Sequence, residues 1–261
     1  MIELTDLLIL GGAGLTAGIL AGFLGIGGGT IVVPILLALG YEPVAAVATS
    51  SLSITITALS GSVQNWRMGY LNFKQVLSLG FPALITAQIG AYLADSIFSP
   101  RFLLFAFAGL LLLNTYLIQL KKKVTTSHPS ELPTPTNSKI NPILAYLITG
   151  SLAGLLAGLF GVGGGVIIVP LQILLLNQPI KTAIQTSLGV VVITGLSACF
   201  GHAIRGNVIV LTGIILGIGG LLGSQISTRF LPKLPDKVVS LCFRVLLIIL
   251  AIYVLKQAWQ S

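Results

Sequence analysis

Two stretches of this 261-residue chain decide its fold: GIGGGTIVVP at residues 25–34 and GVGGGVIIVP at residues 161–170. They belong to a longer duplication, because residues 14–52 align without a gap with residues 150–188 and share 17 of 39 positions. Both copies lie in strongly apolar sequence. Glycine-interrupted hydrophobic segments at matching places in two halves of a chain are typical of the binding site of a secondary transporter.

The composition indicates an integral membrane protein. Of its residues, 55% are hydrophobic and only 8% are charged, and the mean hydropathy is +1.02. A soluble domain carries about 25% charged residues, so this chain could not cover a surface that faces water. The net charge of +8 comes from Lys and Arg in short loops, which the positive-inside rule explains without a nucleic-acid partner. Cys199 and Cys242 form no CxxC pair, so we expect neither a disulfide nor a metal site.

Apolar runs and their breakers predict five segments in each half. They are residues 7–24, 30–39, 44–64, 75–94 and 102–120, then 142–160, 166–176, 180–200, 208–227 and 237–256. Most have about the 20 residues that a spanning helix needs. The second segment of each half is about half that length and follows the glycine cluster directly, so we expect a half-helix there. The chain then divides into a first transmembrane repeat (1–120), a polar basic linker (121–141) and a second repeat (142–261).

The basic residues predict how these segments cross the membrane. If all five segments of each half cross, or the first two form a re-entrant hairpin, ten Lys and Arg share the linker side and three lie opposite. If the first two segments form one broken span, the split is seven against five. The first scheme fits the positive-inside rule better. It predicts an all-α polytopic helical bundle of two inverted repeats with a cytoplasmic linker, but the sequence leaves hairpin and broken span as open alternatives.

The two glycine clusters are expected to hold an anion. Glycine adopts backbone conformations closed to other residues, and consecutive N–H groups can then form an anion-binding nest. The helix after each cluster adds unpaired N–H groups and the positive end of its dipole. The alternative is that the glycines only let helices pack closely, as we expect of the glycines at i, i+4 spacing before each cluster. The residues assigned to the anion site are Gly27, Gly28, Gly29, Thr30, Gly163, Gly164 and Gly165.

Polar residues in the third segment of each half extend this candidate site. Ser50/Ser51 and the matching Thr186/Ser187 can hydrogen-bond an oxyanion without adding charge, although each hydroxyl could instead bond a carbonyl one turn back. Further along the same segments, Asn65 corresponds to His202 when one inserted residue is allowed. The His202 side chain titrates near neutral pH and could relay a proton or bond the substrate. The alternative is a histidine at the water interface.

With its duplicated Gly-x-Gly-Gly-Gly-x4-Pro motif and the Ala-Thr-Ser of residues 48–50, the chain resembles the sulfite exporter TauE/SafE family, also called the sulfonate-uptake permease group. The resemblance spans nearly the whole chain. It places the glycine motif on residues 25–30 and 161–166, each with its proline four residues on, and the serine motif on residues 49–51 and 186–187. It implies a multi-pass protein of the inner membrane that moves sulfite, thiosulfate or an organosulfonate, coupled to protons.

The residues and the resemblance together predict a secondary transporter that works by alternating access. No nucleophile–base pair, metal motif or pair of intramembrane carboxylates is visible in the sequence, so we expect neither an enzyme nor a cofactor. An anion channel and a non-transporting membrane subunit are the alternatives left open. The expected partners are a small inorganic or organic sulfur oxyanion, the lipid bilayer and a second copy of the chain in a homodimer, and no nucleic acid.

Overall fold

The described part of the chain is entirely helical. The computed structural model describes residues 4–99, 101–113 and 141–260, which contain no strand. The helices are α1 (Leu4–Leu24), α2 (Gly29–Ala38), α3 (Pro43–Arg67), α4 (Phe73–Ser96), α5 (Arg101–Leu113), α6 (Pro142–Phe160), α7 (Gly165–Leu175), α8 (Ile180–Ile204), α9 (Val210–Phe230) and α10 (Asp236–Gln260). The predicted linker, apart from its last residue Asn141, and the end of the fifth segment lie outside the described residues.

The lengths of the helices confirm the predicted membrane fold. Seven of the described helices are long and apolar enough to cross a membrane, namely α1, α3, α4, α6, α8, α9 and α10. The two predicted half-helices are present: α2 has 10 residues and α7 has 11. Each begins one residue earlier than the sequence suggested, because the left-handed Gly28 and Gly164 cap α2 and α7.

The third helices of the two repeats, α3 and α8, pack against each other in opposite directions. Gly61, late in α3, lies against Leu188, which is early in α8, whereas Gly195, late in α8, lies against Thr55 of α3. Helix α9 packs beside α3 and α4 packs beside α8. The centre of the bundle is therefore an antiparallel pair formed by equivalent helices, and both members are mostly buried.

Small residues bring the outer helices into close contact. A Cβ on Gly18 of α1 would overlap the backbone of Gly220 in α9, and a Cβ on Gly154 of α6 would overlap the backbone of Ala83 in α4. In a membrane such close backbone approach is a main source of helix association. The prediction that the glycines before each cluster pack helices is confirmed. In each case the partner is the fourth helix of the other repeat, so the two repeats are interlocked.

Helix α1, the first glycine bend and α2 form a hairpin. The chain turns back along α1 at the bend, because the ideal Cβ position of Gly28 is 3.2 Å from the carbonyl oxygen of Ala17 in α1. Helix α1 packs in parallel with α9, because Gly14 and Gly18 contact Leu216 and Gly220 in the same order. Helix α3 is also parallel to α9, because Leu52 and Ile56 contact Gly213 and Gly217 in the same order. If α1 and α2 were one broken span, α1 and α3 would run in opposite directions. The geometry therefore selects the hairpin from the two open alternatives.

Apart from Arg244, which lies within α10, these helix directions separate the basic residues of the described chain into two groups. One end of the bundle carries Arg67, Lys74, Lys181, Arg229, Lys233 and Lys237, and the opposite end carries Arg101, Arg205 and Lys256. This is the division that the sequence predicts for the hairpin scheme. The positive-inside rule predicts that the end with the first group faces the cytoplasm.

Candidate functional site

The two glycine bends meet at mid-height of the bundle. A Cβ on Gly29 would overlap the carbonyl of Gly161, and the second repeat reverses this contact, because a Cβ on Gly165 would overlap the carbonyl of Gly25. Both bends also contact one side chain, Val191, which lies near the middle of α8. Clusters that are 136 residues apart in the sequence thus form one structure, and every residue in 25–34 and 161–170 is buried.

The backbone of each bend has a conformation that requires glycine. The φ angles are 72° at Gly27 and 85° at Gly28, and 73° at Gly163 and 74° at Gly164. This left-handed region is costly for any residue with a Cβ. Two consecutive left-handed residues carry the chain from the end of one helix into the start of the next within four residues. The bends therefore direct the first turns of α2 and α7 into the interior.

In the described part of the chain, four consecutive N–H groups in each bend lack acceptors. In the first bend the helix ladder begins with the N–H of Ile31, which donates to the Gly28 carbonyl at 3.0 Å; in the second, Ile167 donates to Gly164 at 3.1 Å. The N–H groups of residues 27–30 and 163–166 have no acceptor among the described residues. Buried N–H groups without a partner are rare in proteins. The predicted glycines thus present two rows of free donors in one buried region.

Thr30 makes the two bends chemically different. Its side chain is fully buried, and Oγ1 has no hydrogen-bond partner among the residues that the structure describes. The equivalent residue of the second bend is Val166, which has no polar atom. A hydroxyl is therefore available at the start of α2 but not at the start of α7. Thr30 is the only predicted site residue at the bends whose side chain could reach a ligand.

Ser50 and Ser187 each support the glycine bend of the other repeat. Ser50 Oγ donates to the Gly161 carbonyl at 2.8 Å, and Ser187 Oγ donates to the Gly25 carbonyl at 2.5 Å. These hydroxyl protons are already used, so in this conformation the two serines position the bends and do not donate to a ligand. The gapless alignment matches Ser50 with Thr186, but these reciprocal contacts make Ser50 and Ser187, which are 137 residues apart, the structural equivalents.

The other two predicted hydroxyls are also bonded within the protein. Ser51 Oγ donates to the Ala48 carbonyl at 2.6 Å, which is the bond one turn back that the sequence left as an alternative. Thr186 Oγ1 donates to Oε1 of Gln75 at 3.3 Å. Because α3 and α8 are antiparallel, the two hydroxyl pairs lie on opposite sides of the bends. They cannot share one ion in this conformation.

Asn65 and His202 lie near opposite ends of the central pair. Because Thr55 lies beside Gly195 in this antiparallel pair, His202 is level with Ala48 of α3. Asn65 is about 17 residues further along α3, so roughly 25 Å separates Asn65 and His202 along the helix axis. Both side chains are fully buried. Within the described ranges, both polar atoms of the Asn65 amide and Nδ1 of His202 have no hydrogen-bond partner. Nε2 of His202 contacts the Gly158 carbonyl at 3.0 Å. The structure thus places one buried polar residue on each side of the bends.

Two further features of the site region were missed in the sequence. Thr194, near the middle of α8, donates to the Gly163 carbonyl at 2.7 Å and so supports the second bend. Asp95 accepts a hydrogen bond from Asn207 at 2.7 Å and lies 3.7 Å from Arg205. A mid-helix threonine and a carboxylate at a helix end gave no distinct pattern in one sequence. Among the described residues, no group of three or more His, Cys, Asp or Glu could hold a metal ion.

A helical bundle with two interlocked repeats and paired glycine bends at mid-height defines a polytopic membrane protein of the transporter class. The family model for the sulfite exporter TauE/SafE matches residues 10–254. The chain therefore belongs to the TauE/SafE family, as its motifs suggested.

Relatives of similar length carry transporter names. The chain is 28% identical to the probable membrane transporter protein YunE of Bacillus subtilis, over 91% of this chain and 93% of the relative. It is 28% identical to a probable membrane transporter protein of Xylella fastidiosa (98% and 97%) and 25% identical to MJ0441 of Methanocaldococcus jannaschii (97% and 96%), which has the same description. No solved structure matches the chain. The relatives and the seven apolar helices identify a multi-pass protein of the cell membrane.

Proposed function

We propose that this protein is a secondary transporter that moves a small sulfur-containing oxyanion across the cytoplasmic membrane by alternating access, coupled to protons. Its family and the names of its relatives support membrane transport. The observation that carries the assignment to an anion is the meeting of two buried glycine bends. The N–H groups of residues 27–30 and 163–166 in these bends have no acceptor in the described part of the chain.

An anion is the ligand that these bends would bind best. Each row of free N–H groups stands at the N-terminus of a half-helix, where the dipole adds partial positive charge. A sulfite or sulfonate group has several oxygens that could accept hydrogen bonds from both rows. None of the residues in 25–34 or 161–170 is charged. Binding would therefore rest on peptide dipoles and not on a fixed cation, which keeps the anion able to leave.

The relation between the repeats supports alternating access. The antiparallel packing of α3 and α8 is what an inverted repeat would produce, because a two-fold axis in the membrane plane reverses equivalent helices. Each bend belongs to one repeat and contacts the other, so a small rotation of one repeat would change the environment of both. We assign this conformation, in which the bends are buried from both ends, to an occluded state.

Transport by reconstituted protein tests the role of the bends. We expect Gly28→Ala to reduce uptake of labelled sulfite or thiosulfate at least tenfold, because a Cβ would alter the φ of 85° and face the Ala17 carbonyl. Gly40→Ala is the matched control: Gly40 also has a φ of 85° but has no atom within 4 Å of its ideal Cβ position. Equal loss in both variants, or no loss in either, would remove the bend from the mechanism.

The same vesicles separate a carrier from a channel. A carrier loaded with unlabelled anion exchanges it for external label, so the label accumulates transiently above equilibrium. A channel only lets the label equilibrate. We expect transient accumulation for at least one of sulfite, thiosulfate or a small sulfonate. Its absence for all of them, with uptake still present, would favour the channel alternative.

His202 is the residue that we assign to proton coupling. Its imidazole is buried beside the Gly158 carbonyl with Nδ1 free, and the equivalent residue in α3 is Asn65, which cannot titrate. His202→Asn therefore gives both repeats the same neutral amide. We expect this variant to keep anion counterflow but to lose stimulation of uptake by an imposed pH gradient. An unchanged response to the gradient would exclude His202 from the proton path.

A further inference from the structure

The equivalent ends of the two repeats share the same packing. Gln88 of α4 donates to the Ser197 carbonyl at 2.6 Å, and 137 residues later Gln225 of α9 donates to the Ser60 carbonyl at 3.2 Å. Each of these serines donates back to the carbonyl four residues before the glutamine, at 2.7 Å and 3.0 Å. Because the contacts match, a difference in charge between the two ends reflects the side chains and not the packing.

At the α4–α8 end, the positive charge is balanced. Arg205 lies 3.7 Å from a carboxylate oxygen of Asp95 and 5.4 Å from the ring centroid of Tyr92. Asn207 donates to the other carboxylate oxygen of Asp95 at 2.7 Å. An aromatic face and a carboxylate from α4 thus both stabilise the guanidinium group. This end needs no external counter-ion.

At the α9–α3 end, the positions that correspond to Tyr92 and Asp95 carry no aromatic ring and no carboxylate. The offset of 137 residues places Arg229 at the position of Tyr92 and Pro232 at the position of Asp95. Arg67 ends α3 here. Within the described residues, neither Arg67 nor Arg229 has a hydrogen-bond acceptor or a carboxylate partner. Two guanidinium groups therefore replace a guanidinium, a ring and a carboxylate.

Both arginines line the same cavity. It has a volume of about 340 Å³ and is completed by Gln64, Gln225, Ile226 and Phe230. A third cation, Lys233, lies over the Phe230 ring with Nζ 5.5 Å from the centroid. Arginine does not lose its proton in proteins, so two like charges persist in one cleft. An anion between them would remove their repulsion and accept bidentate hydrogen bonds from both.

We propose that Arg67 and Arg229 bind a phosphate group, and that the headgroup of an anionic phospholipid supplies it. The side chains of Ile226 and Phe230 are about half exposed, at 50% and 48%, and give acyl chains an apolar surface next to the two charges. This end of the bundle carries most of the described cations, as expected of the side that faces the anionic leaflet. The site is separate from the glycine bends and does not depend on the transport function.

Thermal unfolding of the purified full-length protein in detergent tests this site with three probes. They are dioleoyl phosphatidylglycerol, dioleoyl phosphatidylcholine with the same chains but no net charge, and inorganic phosphate compared with chloride at equal ionic strength. A ligand that binds only the native state raises the unfolding temperature. We expect phosphatidylglycerol to raise it more than phosphatidylcholine. In Arg67→Gln/Arg229→Gln, the apparent dissociation constant for phosphatidylglycerol should rise about tenfold or more.

A charge-matched variant separates this site from general attraction to a basic surface. Lys74→Gln/Lys237→Gln removes two exposed cations from the same end but leaves the cavity intact, so it should respond to phosphatidylglycerol as the wild type does. If inorganic phosphate stabilises the wild type but not the arginine variant, while the two lipids act alike, the site binds a soluble phosphate. Equal responses of the two double variants to every probe, or no response of the wild type, would overturn the proposal.

Discussion

At the residue scale, Thr30 is the side chain that distinguishes the two bends. The backbones of the two bends match closely, but the first offers a buried hydroxyl without a partner where the second offers a methyl group. A buried polar group without a partner costs about 1–3 kcal/mol. A bound anion that accepts a hydrogen bond from the Thr30 hydroxyl would offset this cost.

Replacing Thr30 with valine, the residue of the second bend, should therefore have two opposite effects. Without anion, the free energy of unfolding should stay equal or rise by about 1 kcal/mol, because the unpartnered hydroxyl is removed at nearly constant shape. The dissociation constant of the transported anion should rise about two- to tenfold, the value of one hydrogen bond. Chemical unfolding and calorimetric titration measure the two effects. A less stable variant with unchanged affinity would make Thr30 a structural residue only.

At the element scale, the contact between α1 and α9 holds the repeats together without large side chains. The close approach depends on Gly14 and Gly18 in α1 and on Gly219 and Gly223 in α9, where an added Cβ would overlap the backbone of the other helix. Lipid tails are as apolar as leucine, so hydrophobic burial adds little to such a contact. Its stability must come from dispersion attraction between tightly packed backbones. This attraction weakens steeply when the two helices move apart by as little as about 0.5–1 Å.

A pair of alanine substitutions in α1 tests this contact. Gly18→Ala would place a Cβ against the Gly220 carbonyl and should lower the free energy of unfolding by about 1–3 kcal/mol, the range for overpacked sites. Gly12→Ala lies on the same helix with no atom within 4 Å of its ideal Cβ position, and should be neutral or stabilising by up to about 1 kcal/mol. Unfolding in a denaturing detergent, followed by circular dichroism, measures both. Similar values would show that the contact tolerates side chains.

The helices and the bends could be predicted from the sequence, because both depend on local composition. Apolar length locates the spanning helices, and three adjacent glycines followed by about ten mostly apolar residues mark a half-helix. The pairing of α1 with α9 could not be predicted, because the i, i+4 spacing of Gly219 and Gly223 indicates a packing face but does not identify the helix that packs on it. The separation of Asn65 from His202 was implicit in the antiparallel arrangement. When equivalent helices run in opposite directions, two equivalent residues can meet only if both lie near the middle of their helices.

At the scale of the whole molecule, the direction of every spanning helix depends on the two hairpins. With a hairpin at α1–α2 and another at α6–α7, the start of α4 and the start of α10 lie at the same end of the bundle. If each hairpin were instead one broken span, the chain would cross the membrane an odd number of times between the start of α4 and the start of α10. These two starts would then lie at opposite ends of the bundle. The predicted orientation, the predicted cytoplasmic position of the linker and the membrane side of the proposed phosphate site all depend on this parity.

Single cysteines at exposed lysines test the parity in cells. In a background with Cys199→Ala and Cys242→Ala, Lys74→Cys and Lys237→Cys should react with a membrane-impermeant maleimide only in inside-out vesicles. Lys256→Cys, at the far end of α10, should react only from the outside of spheroplasts and so serves as the opposite control. All three positions are exposed, so a failure to react reports the side of the membrane and not burial. If positions 74 and 237 reacted from opposite sides, the two repeats could not each contain a hairpin, and the inverted arrangement would be wrong.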